Sequence, residues 1–244
     1  MTLPQGSPRQ GIGSEPEFDM RQPAPIWHTG IWFLFYSAGM LLEVWSAGVI
    51  RKPRSSEDSH LVALCVAELI ASFVVFFYVW WGLRRNRFSL AELIGLRWKR
   101  GHTILLVIGV VAGNWIMVSA LYAIFGKFSL HPSQLFRTPH GIAEHVAVAL
   151  VLGGAGFFEE IEFRGYLLRQ ALSLTGSKSF AIAVQAFFFS VAHGLDQTLV
   201  GFAAKFAFGW VLGEVAVRRR SLLPGMVIHA TNNLLAFALE AIAE

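Results

Sequence analysis

The feature that most constrains this chain is a series of apolar segments, each close to the length that crosses a lipid bilayer. A membrane-spanning helix needs about 20 mainly apolar residues. An open strand edge cannot satisfy its backbone polar groups in lipid, so these segments should be helices. The sequence therefore predicts an all-α, polytopic transmembrane helical bundle of about seven spans. The predicted spans are Ile26–Ile50, Leu61–Gly82, Thr103–Phe125, Ile142–Phe158, Phe180–Gly194, Thr198–Val217 and Met226–Ala243.

The composition is that of a membrane protein. Of the 244 residues, 55% are hydrophobic and 15% are charged, whereas a soluble domain carries about 25% charged residues. The net charge is +4, but the basic residues stand in short clusters beside the apolar segments, as topology determinants do. The expected partner is therefore the lipid bilayer and not a nucleic acid. The single cysteine, Cys65, excludes a disulfide within one chain.

The chain is expected to form one transmembrane domain over residues 26–244, after a flexible polar tail over residues 1–25. The tail lacks the apolar stretch of a cleavable signal peptide. The fourth span should continue as a helix through Glu159–Leu174 and break at Gly176 and Ser177. Apolar and charged residues alternate over Phe88–Arg100, which predicts a short amphipathic helix on the cytoplasmic surface of the membrane.

Lysine and arginine in the loops indicate the orientation. With a cytoplasmic N-terminus and seven spans, thirteen basic residues would lie inside and five outside. Positive charge is enriched in cytoplasmic loops. The expected protein is thus an integral protein of a bacterial plasma membrane, with its N-terminus in the cytoplasm and its C-terminus exported.

Ionisable residues within apolar spans are costly in lipid and mark functional sites. The first group follows the fourth span and contains Glu159, Glu160, Glu162 and Arg164. Glu160 and Arg164 are four residues apart, so they share a helix face and should form an ion pair. Glu159 lies about 100° around the helix from Glu160, which leaves its carboxylate for another use. Glu162 is expected to face headgroups or a polar seam.

Two further groups lie on later helices. Phe189 precedes His193 by one turn and could pack against the imidazole. His229 and Asn233 are four residues apart and share one face, and Asn232 is expected to face elsewhere. Taken singly, these residues are typical of hydrogen-bonded helix contacts in membranes.

Together, the three groups supply the chemistry needed to hydrolyse a peptide bond. A carboxylate and an imidazole, Glu159 and His193, can deprotonate a water molecule. A second imidazole and an amide, His229 and Asn233, can stabilise the oxyanion of the tetrahedral intermediate. Neither a serine-nucleophile motif nor a His-Glu-x-x-His zinc motif occurs in the sequence.

These motifs resemble those of the CPBP family of CAAX-processing prenyl endopeptidases and bacteriocin-processing proteins, also called the Abi family. The resemblance rests on Glu-Glu-x-x-x-Arg at Glu159–Arg164, Phe-x-x-x-His at Phe189–His193 and His-x-x-x-Asn at His229–Asn233. It covers about Leu152–Phe237, the region expected to carry the catalytic motifs. The resemblance implies the membrane bundle of the Ras-converting endopeptidase, which has eight helices where the apolar segments indicate seven.

The resemblance also implies roles for the residues. Glu159 and His193 would activate water, and His229 and Asn233 would form the oxyanion site. The residues expected to support this site are Glu160, Arg164 and Phe189. A metal-free, glutamate-dependent mechanism is preferred, so no cofactor is expected. Zinc is the alternative, with Glu159, His193 and His229 as its ligands and one position open.

The expected substrate is a membrane-associated peptide or protein, such as a pheromone or a bacteriocin precursor. The alternative is a protein without proteolytic activity that confers bacteriocin immunity or acts as a scaffold by binding a membrane peptide. A transporter is disfavoured, because the polar residues gather in one half of the chain and no paired broken helices are evident.

Overall fold

The computed structural model describes residues 21–49, 61–95, 100–125, 139–193 and 198–243. Within these ranges the chain is helical and has no β-strand. The helices are α1 (Ile26–Val49), α2 (Leu61–Arg85), α3 (Leu90–Ile94), α4 (Arg100–Phe125), α5 (Gly141–Glu159), α6 (Leu168–Thr175), α7 (Lys178–Val191), α8 (Leu199–Arg219) and α9 (Leu223–Ala243). A π-helical segment, Glu160–Leu167, joins α5 directly to α6.

Four helices in the described ranges are long and apolar enough to cross a membrane. They are Leu61–Arg85, Thr103–Phe125, Gly141–Thr175 and Leu199–Arg219. The protein is therefore an integral membrane protein, and four of the seven predicted spans are confirmed within the described residues. The apolar helices Lys178–Val191 and Leu223–Leu239 are shorter. The 14 residues of α7 extend about 21 Å at ~1.5 Å per residue, less than the ~30 Å hydrocarbon core.

The expected break after the fourth span is present. The helix from α5 through α6 ends at Gly176, whose φ of 68° is the left-handed conformation that favours glycine. Ser177 then caps α7 by accepting a hydrogen bond from the Phe180 N–H at 3.4 Å. Helix α7 consequently folds back against α6, and α8 packs along α7.

Helix α3 is shorter than the predicted amphipathic helix over Phe88–Arg100. It begins after Ser89, whose side chain accepts from the Glu92 N–H, and it ends at Gly95 with a φ of 61°. The left-handed Gly95 stops the helix after five residues. Residues 96–99 of the predicted helix lie outside the described residues.

The end of the predicted tail packs against the bundle, whereas residues 1–20 lie outside the described ranges. Ala24 is fully buried, and its carbonyl accepts a hydrogen bond from Gln170 Nε2 at 3.1 Å. The Arg21 guanidinium contacts the Glu92 carboxylate at 2.6 Å. These two contacts hold the chain beside α3 and α6 before α1 begins.

Helices α5 and α9 approach each other closely at Gly156. A Cβ atom at this position would lie 2.7 Å from the Ala230 backbone nitrogen and 2.9 Å from the Met226 carbonyl oxygen. Such distances to backbone atoms leave no room for a side chain. Gly156 therefore sets the spacing between α5 and α9, and these are the helices that carry Glu159 and His229.

We expect Gly156→Ala to lower the thermal stability of the detergent-solubilised protein, because the added methyl group must push α9 away from α5. Overpacking of this kind costs about 1–3 kcal/mol. Gly113→Ala on α4 is the matched control, since nothing lies within 4 Å of its Cβ position. Equal unfolding temperatures for the two variants would contradict this account of the contact.

Candidate active site

The polar residues of the Glu159–Arg164 group lie where the helix changes from α to π. Leu168 N–H bonds to the Phe163 carbonyl, five residues earlier. The π-helical residues are buried apart from Glu162, and Glu162 Oε1 accepts a hydrogen bond from Trp32 Nε1 at 2.8 Å. Segments of π-helix within α-helices are frequent at functional sites. The sequence analysis expected Glu162 to face either lipid headgroups or a polar seam. In the structure it faces a polar seam against α1.

Glu160 and Arg164 form an ion pair at the centre of this segment. Arg164 Nη1 lies 2.9 Å from Glu160 Oε1, and both side chains are 0% exposed. The guanidinium carbon also lies 4.0 Å from the centroid of the Phe189 ring, within the range of a cation–π contact. The charge of Arg164 is therefore compensated by a carboxylate and by an aromatic face.

Glu160 also contacts His229, which the sequence analysis did not anticipate. His229 Nδ1 lies 3.1 Å from Glu160 Oε1. Gly225, one turn before His229, makes room for the carboxylate, because a Cβ there would stand 2.8 Å from Glu160 Oε2. An ionised carboxylate only accepts hydrogen bonds, so the bond to Glu160 places a proton on Nδ1 of His229.

The two neighbouring carboxylates flank the same imidazole. His229 Nε2 lies 3.9 Å from Glu159 Oε2, on the opposite edge of the ring from Glu160. The Glu159 side chain is 29% exposed, yet its Oε2 atom is buried and has no hydrogen-bond partner among the described residues. Buried polar atoms are rarely left without a partner. Glu159 thus holds a carboxylate oxygen that is free to accept a proton or a hydrogen bond.

The second histidine is oriented by its own helix. His193 Nδ1 donates to the Phe189 carbonyl oxygen at 2.8 Å, which leaves Nε2 of the neutral ring with its lone pair. Its ring lies 4.7 Å from the Phe189 ring, centroid to centroid, in an edge-on arrangement. Phe189 also makes an edge-on contact with His229 at 5.6 Å. One phenyl ring therefore contacts both imidazoles, in addition to Arg164.

A cavity of about 200 Å³ brings the later motifs together. Its lining includes His193, His229 and Asn233, with further side chains from α4 and α8. The Asn233 amide also donates to the Leu152 carbonyl oxygen on α5 at 3.4 Å. Glu159 does not line this cavity and approaches it beside His229.

The expectation that Asn232 faces away from the site is wrong. Asn232 lines the same cavity, and its Oδ1 accepts a hydrogen bond from Asn114 Nδ2 on α4 at 3.0 Å. Because the cavity lies between α4, α8 and α9, two adjacent residues of α9 can reach it from either side. The cavity residues that the sequence analysis missed are Asn114, Tyr122, Lys205 and Asn232.

Glu159, His193 and His229 do not form a metal-binding group in this structure. No set of three His, Cys, Asp or Glu side chains within the described ranges is arranged to hold a metal ion. The hydrogen bonds from Nδ1 of His193 to Phe189 and from Nδ1 of His229 to Glu160 leave Nε2 of each ring as the nitrogen that could bind an ion, as in histidines that bind metals.

The comparison with known proteins agrees with this arrangement. Residues 141–235 match the family model described as Type II CAAX prenyl endopeptidase Rce1-like. Residues 141–235 are therefore similar to the CAAX protease family. The match begins at the first residue of α5 and ends within α9, so the matched region contains all three motifs. No curated protein and no solved structure matches the chain.

We expect Arg164→Leu to reduce the folded yield and the thermal stability of the protein strongly. The substitution strands the buried Glu160 carboxylate, and breaking a buried pair typically costs about 3–5 kcal/mol. The chain offers a matched control in Arg218→Leu. Arg218 pairs with Glu214 at 2.8 Å with the same four-residue spacing, but its side chain is 78% exposed.

The exposed pair should contribute only about 0.3–0.5 kcal/mol, so Arg218→Leu should unfold close to the wild-type temperature. Both variants can be compared by detergent-phase thermal unfolding and by the monodisperse fraction after purification. If Arg164→Leu gave a fully stable protein that only lost activity, Arg164 would contact substrate and the structural role argued here would be refuted.

Proposed function

We propose that this protein is an intramembrane endopeptidase that hydrolyses a peptide bond of a membrane-associated peptide or protein. The family match supports a CAAX-protease-like enzyme. The observation that carries the proposal is the position of Glu159 Oε2, which makes no hydrogen bond to a described residue and lies 3.9 Å from Nε2 of His229. His229 in turn lines one cavity together with His193 and Asn233. A carboxylate, two imidazoles and an amide are the groups that acyl transfer to water requires.

In the proposed reaction, water is the nucleophile and Glu159 is the general base. Glu159 takes a proton from the water, and the hydroxide adds to the carbonyl carbon of the scissile bond. His193 assists through Nε2, the ring nitrogen left free by the bond from Nδ1 to Phe189. When the tetrahedral intermediate collapses, the carbon–nitrogen bond breaks and the proton passes to the leaving amine.

His229 and Asn233 are proposed to stabilise the oxyanion of that intermediate. The Asn233 amide is a donor in every protonation state. His229 donates from Nε2 only as the imidazolium, because Nδ1 already donates to Glu160. Glu160 and Arg164 are positioning residues in this scheme, since they orient the imidazole and do not touch the substrate.

The proposed mechanism needs no metal ion. The base and the oxyanion donors, Glu159, His229 and Asn233, are side chains of the protein. We also propose a cytoplasmic N-terminus on the basis of the loop charges, and a bacterial plasma membrane as the location. Peptides, pheromones and bacteriocin precursors are the proposed substrates.

Glu159→Gln should abolish proteolysis while leaving the fold intact, because the amide keeps the size of the side chain but cannot take a proton. Loss of a general base typically costs about 10²–10⁴-fold. Cells carrying the wild type or the variant can be compared by mass spectrometry of new peptide termini in their membranes. Synthetic peptides that span a recovered cleavage site then give kcat/KM.

Glu214→Gln is the matched control, since it removes a carboxylate from α8 outside the site and should cleave like the wild type. Identical membrane peptides for the wild type and Glu159→Gln would refute the proteolytic function. Protection against a bacteriocin that survives Glu159→Gln would favour immunity by binding instead.

Chelation separates the metal-free mechanism from the zinc alternative. Exhaustive treatment of the purified enzyme with a chelator should leave kcat/KM unchanged and should release no stoichiometric metal, as measured by elemental mass spectrometry. Loss of activity with release of one zinc per chain, and recovery when zinc is added, would contradict the metal-free proposal. Glu159, His193 and His229 would then be reassigned as ligands.

A further inference from the structure

One charged side chain in the cavity has no part in the proposed hydrolysis. Lys205 lies within the span Leu199–Arg219 of α8 and lines the cavity beside His193 and His229. Among the residues that the structure describes, none of the ion pairs involves Lys205. The two carboxylates of the site already face His229.

An ammonium without a counter-charge is expensive within a membrane, and such residues usually pair with another group or mark the path of a substrate or ion. The other polar side chains that line the cavity are amides, imidazoles and a phenol, and none of them carries a fixed negative charge. A ligand that brings an anionic group into the cavity would therefore compensate the charge of Lys205.

The surroundings of Lys205 leave room for such a group. Gly201 precedes it by four residues and shares its helix face, Ala204 is adjacent in the chain, and both small residues line the same cavity as Lys205. The cavity volume of about 200 Å³ is below the ~300–1,000 Å³ of pockets that enclose drug-sized ligands. A cavity of this size suits a single side chain of a peptide or the end of a peptide chain.

We propose that Lys205 is a specificity residue that binds a carboxylate of the peptide substrate next to the scissile bond. This inference rests on the proposed proteolytic function and adds a chemical requirement to its substrates. The carboxylate could be the α-carboxylate of a C-terminus or the side chain of an Asp or Glu residue. Both present the same acceptor oxygens to the ammonium, and the peptides chosen below distinguish them.

Binding can be measured without turnover in the Glu159→Gln background. The probes are three fluorescein-labelled leucine–alanine hexapeptides. The first ends in a free carboxylate, the second in an amide, and the third in an amide with a glutamate at the penultimate position. Fluorescence anisotropy in detergent gives each Kd.

We expect the peptide with a free carboxylate, the peptide with a glutamate, or both to bind at least about tenfold more tightly than the peptide with only an amide end. A hydrogen bond to a charged group contributes enough free energy for a difference of this size in Kd. The preferred probe identifies the source of the carboxylate. Adding Lys205→Met should remove the preference, and Lys205→Arg should restore part of it. Lys178→Met is the matched control, because Lys178 is an exposed lysine at the start of α7 and its loss should leave the preference intact.

Equal binding of all three peptides, or a preference that survives Lys205→Met, would overturn the inference. In the active enzyme, Lys205→Met should lower the carboxylate-to-amide ratio of kcat/KM, whereas a purely structural role would lower both values equally. If cleavage is lost in Glu159→Gln but the carboxylate-to-amide ratio of kcat/KM is unaffected by Lys205→Met, the protease function stands and the carboxylate site is refuted. If the binding preference depends on Lys205 but the protein cleaves no peptide, only the protease function is refuted.

Discussion

The structure depends on one buried carboxylate. Glu160 holds the Arg164 guanidinium at 2.9 Å and the His229 imidazole at 3.1 Å through the same oxygen atom. Because none of these groups can be solvated by lipid, each requires the other two to remain in place. The π-helical segment, helix α9 and the ring of His229 are therefore fixed together, and the geometry around Glu159 follows from that arrangement.

Phe189 provides the apolar counterpart of this polar centre. Its ring lies under the Arg164 guanidinium and contacts the edges of both imidazoles. Phe208 closes the other side of His229 with a centroid distance of 5.6 Å. The aromatic rings pack against the side chains of the site and help to fix them, and preorganised groups stabilise developing charge better than groups that must first reorient.

The motif residues could be identified from the sequence because each is an ionisable or amide group at helical spacing within an apolar background. The ion pair of Glu160 with Arg164 and the break at Gly176 follow from such local rules. The contact of Glu160 with His229, and the place of Asn232 in the cavity, could not be derived in this way. They depend on how α5, α4 and α9 pack, and in particular on the close approach at Gly156. Hydropathy also does not separate a short apolar helix such as α7 from a membrane-crossing one, so the sequence alone does not fix the number of spans.

The π-helical segment also determines what lies beyond it. Its wider turns shift the rotational register of α6 relative to α5, because each turn holds more residues than the 3.6 of an α-helix. In this register Arg169 reaches the backbone carbonyls of Glu92 and Leu93, and Gln170 meets Ala24. Rewinding residues 160–167 as a regular α-helix would turn α6 further around the helix axis relative to α5, because each α-helical residue turns about 100° and each π-helical residue turns less. The long helix could then satisfy the contacts of α5 or those of α6 but not both, so the π-helical winding of this segment matters as much as the identity of its charged residues.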